Sequence, residues 1–238
     1  MRLSLIQKST DYMYAFNPFI INTVKEIIYP AVRVASYSFD NGNATDLIGG
    51  SNGISSGVDF SQIGKIGQCA YFDGNASIII PNTLPSPGNV GFTFSCFFKT
   101  LQTINKYVFY RQSNNDNHNS FLSITIGSAV SLGVRGTNGI YASIDSNNKI
   151  INDNIWHHAA ITVNCVTGVI CIYIDGVFNK TITTSPMNIV FDSKASVGEW
   201  LHDWEGSSGG PKNIGYLDEV NIWNRALTQS EIIEISGL

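Results

Sequence analysis

Apolar and polar residues follow one another along most of this chain in short runs broken by turn residues. Ala70 to Phe72, Ile78 to Ile80, Phe92 to Lys99, Tyr107 to Tyr110, Phe121 to Ile126 and Val130 to Val134 are rich in β-branched and aromatic types. So are Ile140 to Ile144, Trp156 to Val163, Val169 to Ile174, Thr181 to Thr183, Ala195 to Val197 and Tyr216 to Trp223. Such side chains suit a pleated, half-buried surface, and each run is predicted as a strand. Between them stand Gly49-Gly50, Asn52-Gly53, Asp73-Gly74, Pro85-Ser-Pro-Gly88, Asn138-Gly139, Thr167-Gly168 and Asp175-Gly176, all turn signals. Many short strands at such spacing predict a sandwich or a barrel. One helix is predicted. Thr228-Gln-Ser-Glu231 fits a capping box, with the Thr hydroxyl on the Glu231 backbone N–H and the carboxylate reaching back, and Ile232, Ile233 and Ile235 follow as its apolar stripe.

Six of these strings carry a family resemblance. Tyr216-Leu-Asp-Glu-Val-Asn-Ile-Trp223 with its helix resembles the closing signature of the laminin-G-like jelly rolls of the concanavalin A-like lectin/glucanase superfamily. Ser38-Phe39-Asp40 is similar to that family's first strand, and Gly67-Gln-Cys-Ala-Tyr-Phe-Asp-Gly74 to its Phe-Asp-Gly strand. Phe92-Thr-Phe-Ser-Cys-Phe-Phe-Lys99 resembles the central core strand, Trp156-His-His158 the Trp-His-His strand, and Ile172-Tyr-Ile-Asp-Gly176 the hairpin strand. The matches fall in family order over 35–238. The resemblance implies an all-β fold, a two-sheet antiparallel jelly-roll β-sandwich with a short C-terminal helix.

Composition agrees and removes other classes. A chain of 238 residues can be one sandwich. Charged residues are 13%, about half the usual share, which suits a turn-rich β protein. The net charge of −4 and the lack of any Lys/Arg cluster exclude a basic nucleic-acid footprint. No apolar run reaches the roughly 18 residues of a membrane helix, so no membrane insertion is expected. Cys69, Cys96, Cys165 and Cys171 lack zinc spacing and form no disulfide framework in a chain this long.

Residues 1–34 read differently from the jelly-roll domain, 35–238. The apolar start Met1-Arg-Leu-Ser-Leu-Ile-Gln7 is too short for a signal peptide, and none is recognised. Tyr12, Tyr14, Phe16 and Phe19 then give an aromatic-rich stretch, read either as an extra strand on the sandwich or as a docking arm for a neighbouring virion subunit. The opening is similar to the start of some tailed-phage virion proteins. Location outside the cell or on a virion surface is expected.

Catalysis is not expected. The nearest acidic string is Glu199-Trp-Leu-His-Asp203-Trp-Glu205. In an extended strand Glu199 and Glu205 would stand roughly 20 Å apart, against about 5–9.5 Å for glycoside hydrolysis. Asp203 and Glu205 could meet the wider of those separations, but Gly206-Ser-Ser-Gly-Gly210 follows at once and reads as loop. His157 and His158 are adjacent on a strand, point to opposite faces and cannot share one metal. The resemblance implies that relatives hold a structural calcium near the first and last strands, and Asp40 and Asp218 match its acidic positions here. The other reading is that Asp40 ends a strand and Asp218 caps a turn.

The segment from Val197 to Asn213 is longer than the resemblance leads one to expect. Trp200 and Trp204 stand there among His202, Asp203 and Glu205. Aromatic platforms with a few placed polar groups bind sugars, Trp also anchors protein interfaces, and a third reading folds both rings over the core edge. Two functions remain. One is a non-catalytic recognition module for a surface glycan or host-cell receptor. The other is a capsid or fibre protein that uses the jelly roll for subunit packing.

Overall fold

The computed structural model describes residues 31–113, 120–147, 150–202, 207–208 and 212–237, with His202, Ser207 and Ser208 described by backbone alone. The strands are β1 (Arg33–Tyr37), β2 (Ile54–Ser56), β3 (Asp59–Ile63), β4 (Gln68–Asp73), β5 (Ser77–Ile80) and β6 (Gly91–Lys99). They continue as β7 (Lys106–Gln112), β8 (Phe121–Ile126), β9 (Val130–Arg135), β10 (Tyr141–Asp145), β11 (His157–Asn164) and β12 (Val169–Ile174). The last are β13 (Val177–Thr183), β14 (Ala195–Val197), β15 (Leu201–His202), β16 (Ser207–Ser208) and β17 (Ile214–Trp223), followed by helix α1 (Gln229–Ser236). A compact unit begins at Ala31. The predicted arm lies outside the described residues through residue 30, and β1 takes Arg33 and Val34 into the sandwich.

One sheet has eight strands in the order β13-β12-β11-β6-β17-β4-β3, with β1 also beside β17. The other has seven, in the order β10-β9-β8-β7-β14-β5-β2. Pairing is antiparallel in both. This is the predicted jelly-roll sandwich. Its core forms where Phe92, Phe94 and Phe98 of β6 meet Phe109, Leu122, Ile124 and Leu132 of the facing sheet. The Phe94 and Phe109 rings touch across the gap, 5.5 Å between centroids. Each such side chain, fully buried, contributes about 1.5–3 kcal/mol.

The strands β6 and β11 are apolar on both faces for a reason. α1 covers the outer face of the eight-stranded sheet, and a second cluster forms there from Ala160, Tyr173, Trp223, Leu227 and Ile232. The helix starts as predicted, with Thr228 and Glu231 making a complete capping box. Gly237 ends it in the left-handed conformation, φ 71°, its N–H bonded to the Glu234 carbonyl.

Each predicted run lies on an observed strand. The first family strand is displaced: β1 is Arg33–Tyr37, and Ser38-Phe39-Asp40 follows its end, because Phe39 turns to φ 64° and cannot continue the pleat. β2 and β3 were not predicted. β2 is exposed throughout and β3 is exposed or half-buried, so neither carries a buried alternating face. All four cysteines are free thiols.

Candidate functional site

The base of the Trp-bearing segment is fixed by small residues and buried polar groups. Gly198 sits at φ 88° with its Cα against Phe72, where a Cβ would lie 2.4 Å from the ring. Its N–H bonds the Val108 carbonyl, and its own carbonyl takes the Asn213 N–H at 2.7 Å, which closes the base. The Ser196 hydroxyl donates to the Glu199 carbonyl at 2.8 Å. The Glu199 carboxylate is buried and paired with the Lys212 ammonium at 3.1 Å, and that ammonium also donates to the Asn75 carbonyl. Glu199 is thus a fastening rather than a free acid. Leu201–His202 pairs with Ser207–Ser208, so the segment expected as plain loop carries a two-stranded ribbon.

This base presents Trp200. Its ring is half-buried and lies nearly parallel to Tyr107, 17° between planes and 6.1 Å between centroids, with Tyr110 edge-on at 6.2 Å. Tyr107 and Tyr110 meet each other edge-on at 5.8 Å. Phe109 between them points into the core, so the trio stands on the outer side of the seven-stranded sheet. Burial pushes the Tyr110 hydroxyl pKa up, against a hydrogen bond with Trp200 that draws it down. The hydroxyl also donates to Gln112 Oε1 at 2.7 Å. Of the predicted ligand residues, Trp200 is placed, and His202 is placed by backbone on β15. Asp203, Trp204 and Glu205 lie outside the described residues.

Tyr107 and Tyr110 are partners that the sequence reading missed. They are three apart, which is out of phase for one face of a strand. A bulge between Tyr107 and Phe109 brings them back to the same side, and no period-two pattern reveals it.

The two acids singled out for calcium each reach the turn between β3 and β4. β17 pairs with β4 along Ile214 to Leu217 and with β1 along Val220 to Trp223. At the changeover Glu219 takes φ 47°. Asp218, fully buried there, accepts the Ile66 N–H at 2.9 Å on Oδ2 and the Glu219 N–H at 2.8 Å on Oδ1. Asp40 accepts the Gln68 N–H at 2.8 Å. Both carboxylates therefore meet the turn between β3 and β4, where Gly64 and Gly67 leave them room: a Cβ would come within 2.6 Å of Asp218 and 2.0 Å of Asp40. Burial raises the Asp218 pKa to about 6. Glu219 is raised by burial and by the Asp40 charge. The donors are all oxygens, the kind a hard cation takes, and in the described arrangement they serve backbone N–H groups. No group of three or more His, Cys, Asp or Glu stands ready for a metal among the described residues.

The histidine pair is structural. His157 Nδ1 lies 2.9 Å from Asp175 and Nε2 3.2 Å from Asp153. His158 faces Phe97 at 5.0 Å, and burial lowers its pKa to about 4.

Two antiparallel sheets packed face to face define a jelly-roll β-sandwich. The chain belongs to the concanavalin A-like lectin/glucanase superfamily, whose laminin-G-type model matches residues 72–233. Among solved structures it is similar to domain 4 of AbnA, an extracellular arabinanase of Geobacillus stearothermophilus, in complex with arabinotriose. That likeness has 22% identity and TM-score 0.65, covering 87% of this chain and 98% of that one. It is similar to the binding domain of paraclostridial mosquitocidal protein 1, with 21% identity, TM-score 0.66, and coverage of 86% and 51%. A pentraxin of Limulus polyphemus gives 19% identity, TM-score 0.57, and coverage of 70% and 80%. These likenesses show the fold. An uncharacterized protein of Clostridium acetobutylicum is 28% identical over 218 residues, 85% of this chain and 53% of that protein. The chain thus spans about half the length of that curated relative.

Proposed function

We propose that this chain is a non-catalytic recognition module that binds a surface glycan outside the cell. The observation that carries the reading is the Trp200–Tyr107–Tyr110 shelf, held on the outer side of a sheet by a buried, ion-paired base. Sugar rings lay their C–H faces on such rings, and neighbouring polar groups take the hydroxyls. The arabinotriose complex of the arabinanase domain supports the ligand class, as does the structure of a botulinum neurotoxin binding domain in complex with a compound named SialylT. The engagement of Glu199 by Lys212 supports the absence of catalysis. Display on a virion, and the packing-subunit alternative, depend on the 1–34 segment, which lies outside the described residues through residue 30.

A glycan array with the full chain tests this, beside Trp200→Ala and Trp204→Ala. Specific binding weakened about tenfold or more by Trp200→Ala is expected, the loss of one stacked anchor. Binding that neither substitution alters would remove the shelf as the site. Turnover of a polysaccharide that disappears in Asp203→Asn or Glu205→Gln would replace the reading with an enzyme.

Calcium is part of the proposal. Asp40 and Asp218 would hold it, with backbone carbonyls and water completing the shell, and its charge would neutralise the acids gathered at the turn. Deprotonation of Asp218 is a condition of binding, so the expected gain in Tm with millimolar calcium over chelator is present at pH 7.5 and absent near pH 5. Equal melting with calcium and chelator at pH 7.5 would remove the metal.

A further inference from the structure

A second cleft lies on the other sheet, away from the Trp200 shelf. Register builds it. Tyr216 of β17 is directly opposite Tyr71 of β4 on one side and Lys99 of β6 on the other. His157 is opposite Phe98, which sets Trp156 level with Lys99. Phe72, Phe98 and Leu217, each next in sequence to one of these residues, point into the core, so Tyr71, Tyr216 and Lys99 point out. The result is a row of Tyr71, Tyr216 and Lys99 across three strands, continued by Trp156 just before β11.

The rings are close-packed and half-open. Tyr71 and Tyr216 are 4.8 Å apart by centroid, and Trp156 meets Tyr216 edge-on at 6.2 Å. The Lys99 ammonium stands 4.1 Å from the Tyr216 ring and 5.3 Å from that of Trp156. A cleft of about 390 Å³ opens over Tyr71, Tyr216 and Lys99, walled also by Thr100, Gln102 and Asn154. That volume suits a small ligand.

The hydrogen-bond accounts of the wall say what the ligand must bring. Thr100 donates to the Ile214 carbonyl. Gln102 spends its amide on Ile126, Asn213 and the Ile214 N–H. Lys99 makes no hydrogen bond or ion pair with a described residue, only its two ring contacts. The side chain of Asn154 likewise makes none with a described residue, and its backbone, at φ 64°, aims it from an exposed turn. The cleft therefore offers the aromatic surface of Tyr71 and Tyr216, one ammonium without a counter-ion among the described residues, and one spare amide. In a chain of net charge −4, a lone cation set among rings is a selective feature.

We propose that this cleft binds a carboxylated sugar residue, with its ring on Tyr71 and Tyr216 and its carboxylate on Lys99. This rests on the glycan reading above and adds a second site of different charge preference. The ammonium donates to the carboxylate oxygens, and the Asn154 amide serves a hydroxyl. Neutral sugars lack the group that pairs with Lys99 and bind more weakly here.

Calorimetric titration of the full chain with trigalacturonate and with neutral galactotriose tests it, beside an array carrying uronate and sialate glycans. Trigalacturonate is expected to bind, to quench a fluorescence component that Trp156→Phe removes, and to weaken about tenfold or more in Lys99→Met. Lys99→Arg restores binding. Thermal melts confirm that Lys99→Met is folded; Tyr71→Ser provides a second variant if it is not. Carboxylate-sugar binding indifferent to Lys99→Met and Tyr71→Ser overturns the proposal. So does a chain that retains glycans only through Trp200, which would leave the recognition reading intact. A chain that binds no glycan at all overturns both.

Discussion

At the scale of single residues, two buried titratable groups pull stability in opposite directions. His158 is held neutral, with its Nδ1 buried and unbonded among the described residues. Burial lowers its pKa from the ordinary 6.5 to about 4. The unfolded chain therefore takes up a proton below pH 6.5 that the fold refuses until about pH 4. Its contribution is full above 6.5 and drains as the pH falls from 6.5 to 4. Asp218 is raised from 3.8 to about 6, so its contribution is full below 3.8 and is lost as the pH rises through 6. His158→Leu is expected to flatten the acid arm between pH 6.5 and 4 in urea titrations read at several pH values. An unchanged arm would place the acid sensitivity elsewhere. Gly198→Ala brings strain at φ 88° and a clash with Phe72, at a cost of about 1–3 kcal/mol. It also displaces Trp200, so weaker glycan binding is expected alongside lower stability, and binding at full strength would separate the shelf from its base. Trp200 was singled out by its residue type and its polar company, and its ring lies against Tyr107 on the outer side of the seven-stranded sheet. The Tyr71, Tyr216 and Lys99 row was not, because its members are about 145 and 117 positions apart in sequence and only cross-strand register unites them.

At the scale of elements, the sequence disclosed what repeats locally and hid what depends on neighbours. The α1 cap is a four-residue pattern and was read in full. Its Glu231 carboxylate also takes Arg225 at 2.6 and 2.9 Å, and that pairing first, then the Thr228 bonds, draws its pKa down to about 2. Thr228→Ala is expected to cost about 1 kcal/mol by equilibrium denaturation. Glu231→Gln destabilises at neutral pH, and the deficit closes as the pH falls from about 4.5 toward 2, since a lowered pKa adds stability only above the unfolded value. A deficit of constant size across that range would mean that packing of the side chain, not its charge, matters. The edge strands β2 and β3 escaped because exposure leaves them without an apolar face. The bulge of β7 escaped because one extra residue shifts the phase of everything after it.

At the scale of the whole molecule, the two aromatic surfaces belong to different sheets of one sandwich, so substitutions at one are expected to add to those at the other without coupling. A Trp200→Ala, Lys99→Met double variant checks this by calorimetry with a neutral and an acidic trisaccharide, and a marked departure from additivity would show that one ligand spans both. The topology also governs how the molecule comes into being. β17 lies in the middle of the eight-stranded sheet, between β6 on one side and β4 and β1 on the other. During synthesis the ribosome delivers β1, β4 and β6 long before the strand that joins them. Until Ile214–Trp223 emerges, the two halves of that sheet have no common seam. Closure across such long stretches of chain is slow, so the eight-stranded sheet is expected to complete late in folding.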